Sequence, residues 1–313
     1  MATISHWDTL AIPRWEHSPQ PLSLAQFLQQ EPSPFRVTTR DLDMLVGLAE
    51  HRILSPMHMA RMYFASHANR SYMQRRLTQL WQVGLVMRMR PAVGPREGSA
   101  PYLYTLSNVG MSLLRRVQPD LNPAIFYRED AQGVSLNLIR HEVALNDLCL
   151  DILDGVEDRE GAAEWIPTKL TRQSFVTAGQ TILMEPDAVI RGQVSGMRGE
   201  RLVHIELELS ADVTRFRQKL RRWTAYRTAK AWQEFYSRAP RILVVGYTQA
   251  APVPSGRKRR IINSIQPLQG IARSQHFTNI AFLSVEERAD GGWQCLPDQP
   301  GQPGQSLWDF WMS

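Results

Sequence analysis

Two short acidic segments, Glu185-Pro186-Asp187-Ala188 and His204-Ile205-Glu206-Leu207-Glu208, constrain this chain more than any other feature. Each follows an apolar run, Thr181–Met184 before the first and Arg201–Val203 before the second. β-Branched and aliphatic residues clustered between turn-forming stretches read as strands, with residues 191–200 as the hairpin turn between them. A carboxylate on an interior strand is costly unless it is paired or bound to a metal. Strands that set Asp187 beside Glu206 would build a hard-oxygen site suited to Mg2+ or Mn2+. That is the acidic half of a metal-dependent phosphodiesterase centre.

Length and composition narrow what such a centre can belong to. With 313 residues, 43% of them apolar, the chain can bury the cores of two ordinary domains and is no disordered protein. Cys149 and Cys295 are its only cysteines, so neither a disulfide framework nor zinc-ligand spacing is available. No apolar run approaches the roughly 18 residues of a membrane span, and the first residues lack the basic-then-apolar order of a signal peptide. A cytoplasmic protein without membrane partners is expected.

The net charge of +6 is mild, but its placement is not even. Between Thr39 and Ser107 nine arginines face four acids, and Arg257-Lys258-Arg259-Arg260 forms a second basic run. Localised arginine favours a polyanion partner. Here it coincides with a recognisable order of elements. Residues 1–38 carry five prolines and read as an irregular arm with one short helix near Ser23–Leu28. Helices follow at Asp41–Glu50, at Ser55-Pro56 to about Ala65, and at Ser71–Val83, the last closed by Gly84. Strands at Leu85–Arg90 and Pro101–Leu106 flank a basic, glycine-containing loop, and Ser107 caps a further helix whose apolar positions are Met111, Leu113, Leu114 and Val117.

Three helices and a β-ribbon make the layout of a winged helix-turn-helix over residues 39–117. Its third helix would lie in the major groove of double-stranded DNA. Arg70, Tyr72, Gln74, Arg75, Arg76 and Gln79 are the candidate readers there, and Arg88, Arg90 and Arg96 would meet phosphates or the minor groove from the wing. Residues 118–133 read as a linker, residues 134–289 as a second domain and residues 290–313 as a tail. The second domain opens with a long helix, from about Val134 to Gly155, that sets Glu142 among apolar neighbours. Later come a helix at Ala211–Ala229, an apolar run at Arg241–Tyr247 fit for a central parallel strand, a helix at Ile261–Ala272 and a last strand at Asn279–Val285.

This helix–strand–strand–strand–helix–strand order, with Glu142, Pro186-Asp187 and Glu206 at set points, resembles the PD-(D/E)XK nuclease-like fold, an α/β domain on a mixed sheet. The whole chain is expected to be α+β. Over roughly residues 39–285 it also resembles the replication-relaxation proteins of bacterial plasmids and mobile elements. The matching stretches are Tyr104-Thr105-Leu106-Ser107 with Gly110, His141 with Asn146-Asp147, Trp165, Pro186-Asp187-Ala188, and Glu206-Leu207-Glu208 followed by Lys219 and Tyr226.

These resemblances imply a DNA-acting protein of plasmid replication or mobilisation. They imply Mg2+ or Mn2+ on Asp187, Glu206 and the Leu207 carbonyl, with Glu142 near a second metal. Replication or mobilisation proteins are the implied partners, with a homodimer where both strands are cut. One position departs from the nuclease pattern, because Glu208 stands where lysine is expected. Lys219, on the following helix, is the candidate replacement, so Glu208 or Lys219 would orient the attacking water. His204 reads as structural, and Tyr226 and Tyr247 rank low as nucleophiles without a histidine cluster. The alternative is a non-catalytic replication initiator or transcriptional regulator that binds DNA and carries a degenerate nuclease fold.

Overall fold

A computed structural model describes residues 15–19, 23–29, 35–64, 70–91, 100–126, 135–196, 199–208, 212–246, 265–274 and 280–284. The chain divides into two compact units, Met1–Leu150 and Asp151–Ser313. No helix among the described residues is long and apolar enough to cross a membrane.

In the first unit, α1 (Leu24–Gln29) precedes three helices, α2 (Thr39–His51), α3 (Pro56–Tyr63) and α4 (Arg70–Gln82). Reciprocal capping boxes start α2 at Thr38 and α3 at Ser55, with Pro56 in the first turn of α3 as its ring requires. Gly84 ends α4 at φ 79°, a left-handed conformation that glycine adopts without a Cβ penalty. Met73, Leu77 and Leu80 are the buried stripe of α4.

Strands β1 (Val86–Met89) and β2 (Leu103–Leu106) pair antiparallel. Single-residue bridges widen this ribbon on both sides, Leu54 to Tyr104 and Glu16 to Arg88. Ser107 then caps α5 (Asn108–Val117) by accepting the Gly110 N–H at 3.0 Å. Met111, Leu113 and Leu114 are buried as expected, whereas Val117 is exposed at the last turn.

The boundary between units falls inside α6 (Leu136–Glu157), downstream of the expected linker at 118–133, of which residues 127–133 lie outside the described set. The first part of α6 is tied to the first unit. Ile139 and Val143 pack with Ile53, Met89, Leu103 and Trp15, and the Asn146 side chain donates to the Ile53 carbonyl at 2.7 Å.

The second unit is built on a mixed five-stranded sheet of order β3-β6-β7-β8-β9. β3 (Ala162–Pro167) is followed by a single helical turn, α7 (Thr168–Thr171). β4 (Gln173–Thr177) and β5 (Gln180–Met184) form a separate hairpin. The sheet then takes β6 (Ala188–Gln193) and β7 (Arg201–Glu208), antiparallel to each other, and β6 pairs antiparallel with β3. After α8 (Val213–Thr228), β8 (Arg241–Gly246) joins β7 in parallel. α9 (Ile265–Ser274) leads to β9 (Ile280–Ser284), parallel to β8. β8 is thus the buried parallel strand that its apolar run demands.

One expectation is corrected. The strand that pairs with β7 is β6, not Thr181–Met184, and β6 covers residues read as the start of a turn. Arg191, Gly192 and Gln193 look like turn residues, yet each has a ladder partner in β3. Gly192 is required there, since a Cβ would meet the Ala163 side chain at 2.6 Å and the Ala162 carbonyl at 2.7 Å. Close approach of neighbouring backbone explains the glycine, rather than chain reversal.

Candidate functional site

The ladder between β6 and β7 pairs Ala188 with Ile205, which sets Asp187, just before β6, beside Glu206. Successive strand residues point to opposite faces, so His204, Glu206 and Glu208 share one face of β7. The segment entering β6 is fixed by its own hydrogen bonds. Thr168 donates its hydroxyl to the Asp187 carbonyl, and Thr171 donates to the Pro186 carbonyl at 2.9 Å. The Asp187 carboxylate accepts the Leu207 N–H at 2.7 Å, so the acid is locked against the neighbouring strand.

α8 covers the same face of β7. Its buried stripe, Phe216, Leu220, Trp223 and Tyr226, joins a core with Phe175, Ile242, Val244 and Phe282. Lys219 lies on the flank of that stripe and turns its ammonium into the acids. Nζ stands 2.6 Å from Glu206 Oε2, 2.7 Å from Glu208 Oε1 and 3.9 Å from Asp187 Oδ2. The structure therefore gathers Asp187, Glu206, Glu208 and Lys219. Glu142 belongs to the first unit, where Arg52 lies 3.3 Å away.

Three carboxylates around one ammonium leave a formal excess of two negative charges. Burial pushes the Glu206 carboxyl up to about 7; the Lys219 ammonium opposes that rise, and Asp187 and Glu208 add to it. Burial by itself would lower the Lys219 pKa, but Glu206, Asp187 and Glu208 outweigh it and hold the ammonium charged far above its usual range.

Among the described residues no group of three or more His, Cys, Asp or Glu side chains is placed to hold a metal ion. Mg2+ usually needs only one or two carboxylates, with waters and substrate phosphates completing its shell. Asp187 and Glu206 are carboxylates of the type Mg2+ takes, and the unbalanced charge beside them is of the sign a dication would offset.

His204 is buried, with neither ring nitrogen hydrogen-bonded among the described residues, and packs on Trp223, Tyr236 and Tyr226. Burial takes its pKa down to about 3, so the ring is neutral. Tyr226 is fully buried and donates to Gln173 at 2.5 Å, which suits a packing role better than attack on a phosphate. Tyr247 and the run 257–260 lie outside the described residues.

In the first unit the candidate DNA readers separate into two groups. Tyr72, Gln74 and Arg75 are exposed on α4, with the Arg75 guanidinium 5.5 Å from the Tyr72 ring centroid. Arg70 is the first residue of α4. Arg76 instead turns inward. It donates to both Asp41 oxygens at 2.7 and 2.5 Å, to the Arg36 carbonyl at 2.5 Å and to Gln79 at 3.1 Å, and it lies over the Phe35 ring.

On the ribbon, Arg88 is held between the Trp81 and Tyr102 rings, at 3.5 and 4.3 Å, and donates to Glu16 at 2.8 Å. Arg90 is exposed and borders Tyr102 at 4.1 Å. Arg96 lies outside the described residues. Sequence reasoning passed over α8 as a basic element, although five arginines and Lys219 fall within its sixteen residues without one acid. Counting charge per helix rather than per region would have found it.

Residues 45–242 match the family model described as replication-relaxation. No curated protein and no solved structure matches the chain.

Proposed function

Because the chain belongs to the replication-relaxation family, which ties it to plasmid replication or mobilisation, we propose that it binds duplex DNA and hydrolyses a phosphodiester bond in a Mg2+- or Mn2+-dependent reaction. In this reading the first unit is a winged helix. Its α4 presents Arg75, Gln74 and Tyr72 to the major groove while Arg90 meets the backbone from the wing. The second unit is a PD-(D/E)XK nuclease-like domain.

The observation that carries the catalytic half is the convergence of Asp187, Glu206 and Glu208 on the Lys219 ammonium. Asp187, Glu206 and the Leu207 carbonyl would hold the metal, which when bound supplies an acidified water and polarises a phosphoryl oxygen. The Leu207 N–H fixes the Asp187 carboxylate, so this ligand is oriented before substrate arrives. Lys219 offsets charge developing on the phosphate. Glu208 keeps that ammonium in place, which gives a role to the acid standing where the nuclease pattern has lysine.

Incubation with supercoiled plasmid tests the reading. Nicked or linear product that requires Mg2+ or Mn2+ and disappears in chelator and in Asp187→Ala supports it. Intact plasmid alongside retained duplex binding would sink the catalytic half. One observation favours the second reading, a DNA-binding protein on a degenerate nuclease fold. The ammonium already bonds two of the three acids, as a purely structural cluster would.

A further inference from the structure

α8 has two faces with different chemistry. Inward it buries Phe216, Leu220, Trp223 and Tyr226, and from the flank it delivers Lys219 to the carboxylates. Outward it exposes Arg215, Arg217, Arg221 and Arg222, and its other exposed positions are threonine or glutamine. With five arginines and one lysine, and no acid, the helix carries a formal charge of +6, equal to the net charge of the whole chain.

A helix face that is merely solvated gains by mixing signs, because opposite charges three or four residues apart attract and like charges repel. Here Arg217 and Arg221 are like-charged neighbours at a spacing of four. Arg215 and Arg222 stand four residues before and three after Lys219, so both adjoin it along the helix. Among the described residues, none of the four exposed guanidinium groups makes an ion pair. No partner among the described residues relieves that repulsion.

We infer that the exposed face of α8 is a second DNA-binding surface, in which Arg215, Arg217, Arg221 and Arg222 grip the phosphodiester backbone and Arg215 and Arg222 hold it beside the Lys219–carboxylate cluster. Duplex DNA is the occupant because the face offers dense positive charge with hydroxyl and amide donors. It offers no apolar anchor for a protein partner and no aromatic ring on which unpaired bases would stack. Guanidinium forks also match phosphate oxygens in pairs, which ammonium groups do not. The inference rests on the DNA-binding reading above and extends it to the second unit.

Fluorescence anisotropy with a labelled duplex of arbitrary sequence, on the full chain, tests it. For R215Q/R217Q/R221Q/R222Q, the slope of log affinity against log salt, between roughly 50 and 200 mM, should become shallower by about 3 to 4, since each lost phosphate contact removes about 0.9. At the middle of that range the affinity should fall at least about tenfold. The all-lysine version of the same four positions should recover most of the slope. A variant of equal charge change elsewhere, R115Q/R116Q/R172Q/R238Q, should lose much less.

Circular dichroism confirms that each variant is folded. An α8 variant that keeps the original slope, or loses no more than the control, overturns the inference while leaving the first unit's role standing. Absence of duplex binding by the unaltered protein overturns both.

Discussion

Each unit sets a half-buried cation against buried carboxylate, but the two clusters are balanced differently. In the first, Arg76 meets one carboxylate, Asp41, whose remaining capacity is taken by the Thr38 N–H at 2.6 Å and the Thr38 hydroxyl at 2.7 Å. Burial would raise the Asp41 pKa, yet hydrogen bonds from Arg76 and Thr38 hold it below the usual value. In the second, one ammonium faces three carboxylates, and Glu206 rises to about 7. A balanced cluster is complete within the fold. An unbalanced one stores charge that a further cation would neutralise, and a buried arrangement of that kind marks a candidate functional site.

The two clusters respond to pH in opposite senses. Asp41 has a lowered folded pKa, so its contribution is present above the unfolded value of 3.8 and is lost as pH falls through the folded value. Glu206 has a raised one. The folded unit keeps that proton while the unfolded chain releases it, so stability declines as pH rises from 4.5 through about 7 and then levels.

The largest expected effect tests the balanced cluster. Arg76→Ala leaves Asp41 buried without its cation and should cost the first unit roughly 3–5 kcal/mol. Arg75→Ala, one residue away and exposed, should stay within about 0.5 kcal/mol while weakening duplex binding. Urea denaturation followed by anisotropy on the folded variants separates the two. Equal stability losses would show that Arg76 is not the internal partner its geometry indicates.

Lys219→Met comes next, at about 3 kcal/mol near pH 8, because three carboxylates lose the cation they share. Near pH 5 the loss should be smaller, since Glu206 can then hold its proton. A loss equal at both pH values would mean that the charge excess is not what governs the cluster.

Glu206→Gln should do the reverse. Ionising this buried acid costs about 3 kcal/mol for a rise from 4.5 to about 7. Relative to the unaltered protein, whose stability falls across this window, the variant should therefore gain about 2 kcal/mol between pH 5 and pH 8. Denaturant midpoints across that range measure it, and parallel pH profiles for the two proteins would contradict the raised pKa.

The sequence made the helices and their caps legible because caps are local. Ser55-Pro56, Ser107 and Gly84 each act on neighbours within a few residues. It also made Lys219 legible, since helical spacing from Phe216 and Trp223 places it at the border of the covered face. Arg76 was not legible as an internal group. Its partner lies 35 residues away on α2, and nothing local distinguishes it from Arg75. β6 was obscured by composition, because Gly192 answers a close backbone approach that only the sheet reveals. In general, spacing announced what a single element controls, and tertiary pairing decided the rest.

Glu208→Gln is the smallest change and the most discriminating. It removes one of three negative charges and leaves Lys219 bonded to Glu206 at 2.6 Å. In a balanced cluster such a loss is destabilising. Here the excess falls from two to one, so the second unit should change by no more than about 1 kcal/mol near pH 8, in the stabilising direction. Glu208 is also one of the charges that raise the Glu206 pKa, so the pH at which the decline in stability levels off should move down while its onset stays near 4.5. If Glu208 only fills space, stability and pH profile stay unchanged. If it positions Lys219 for phosphodiester hydrolysis, plasmid nicking falls while the folded unit is as stable as before.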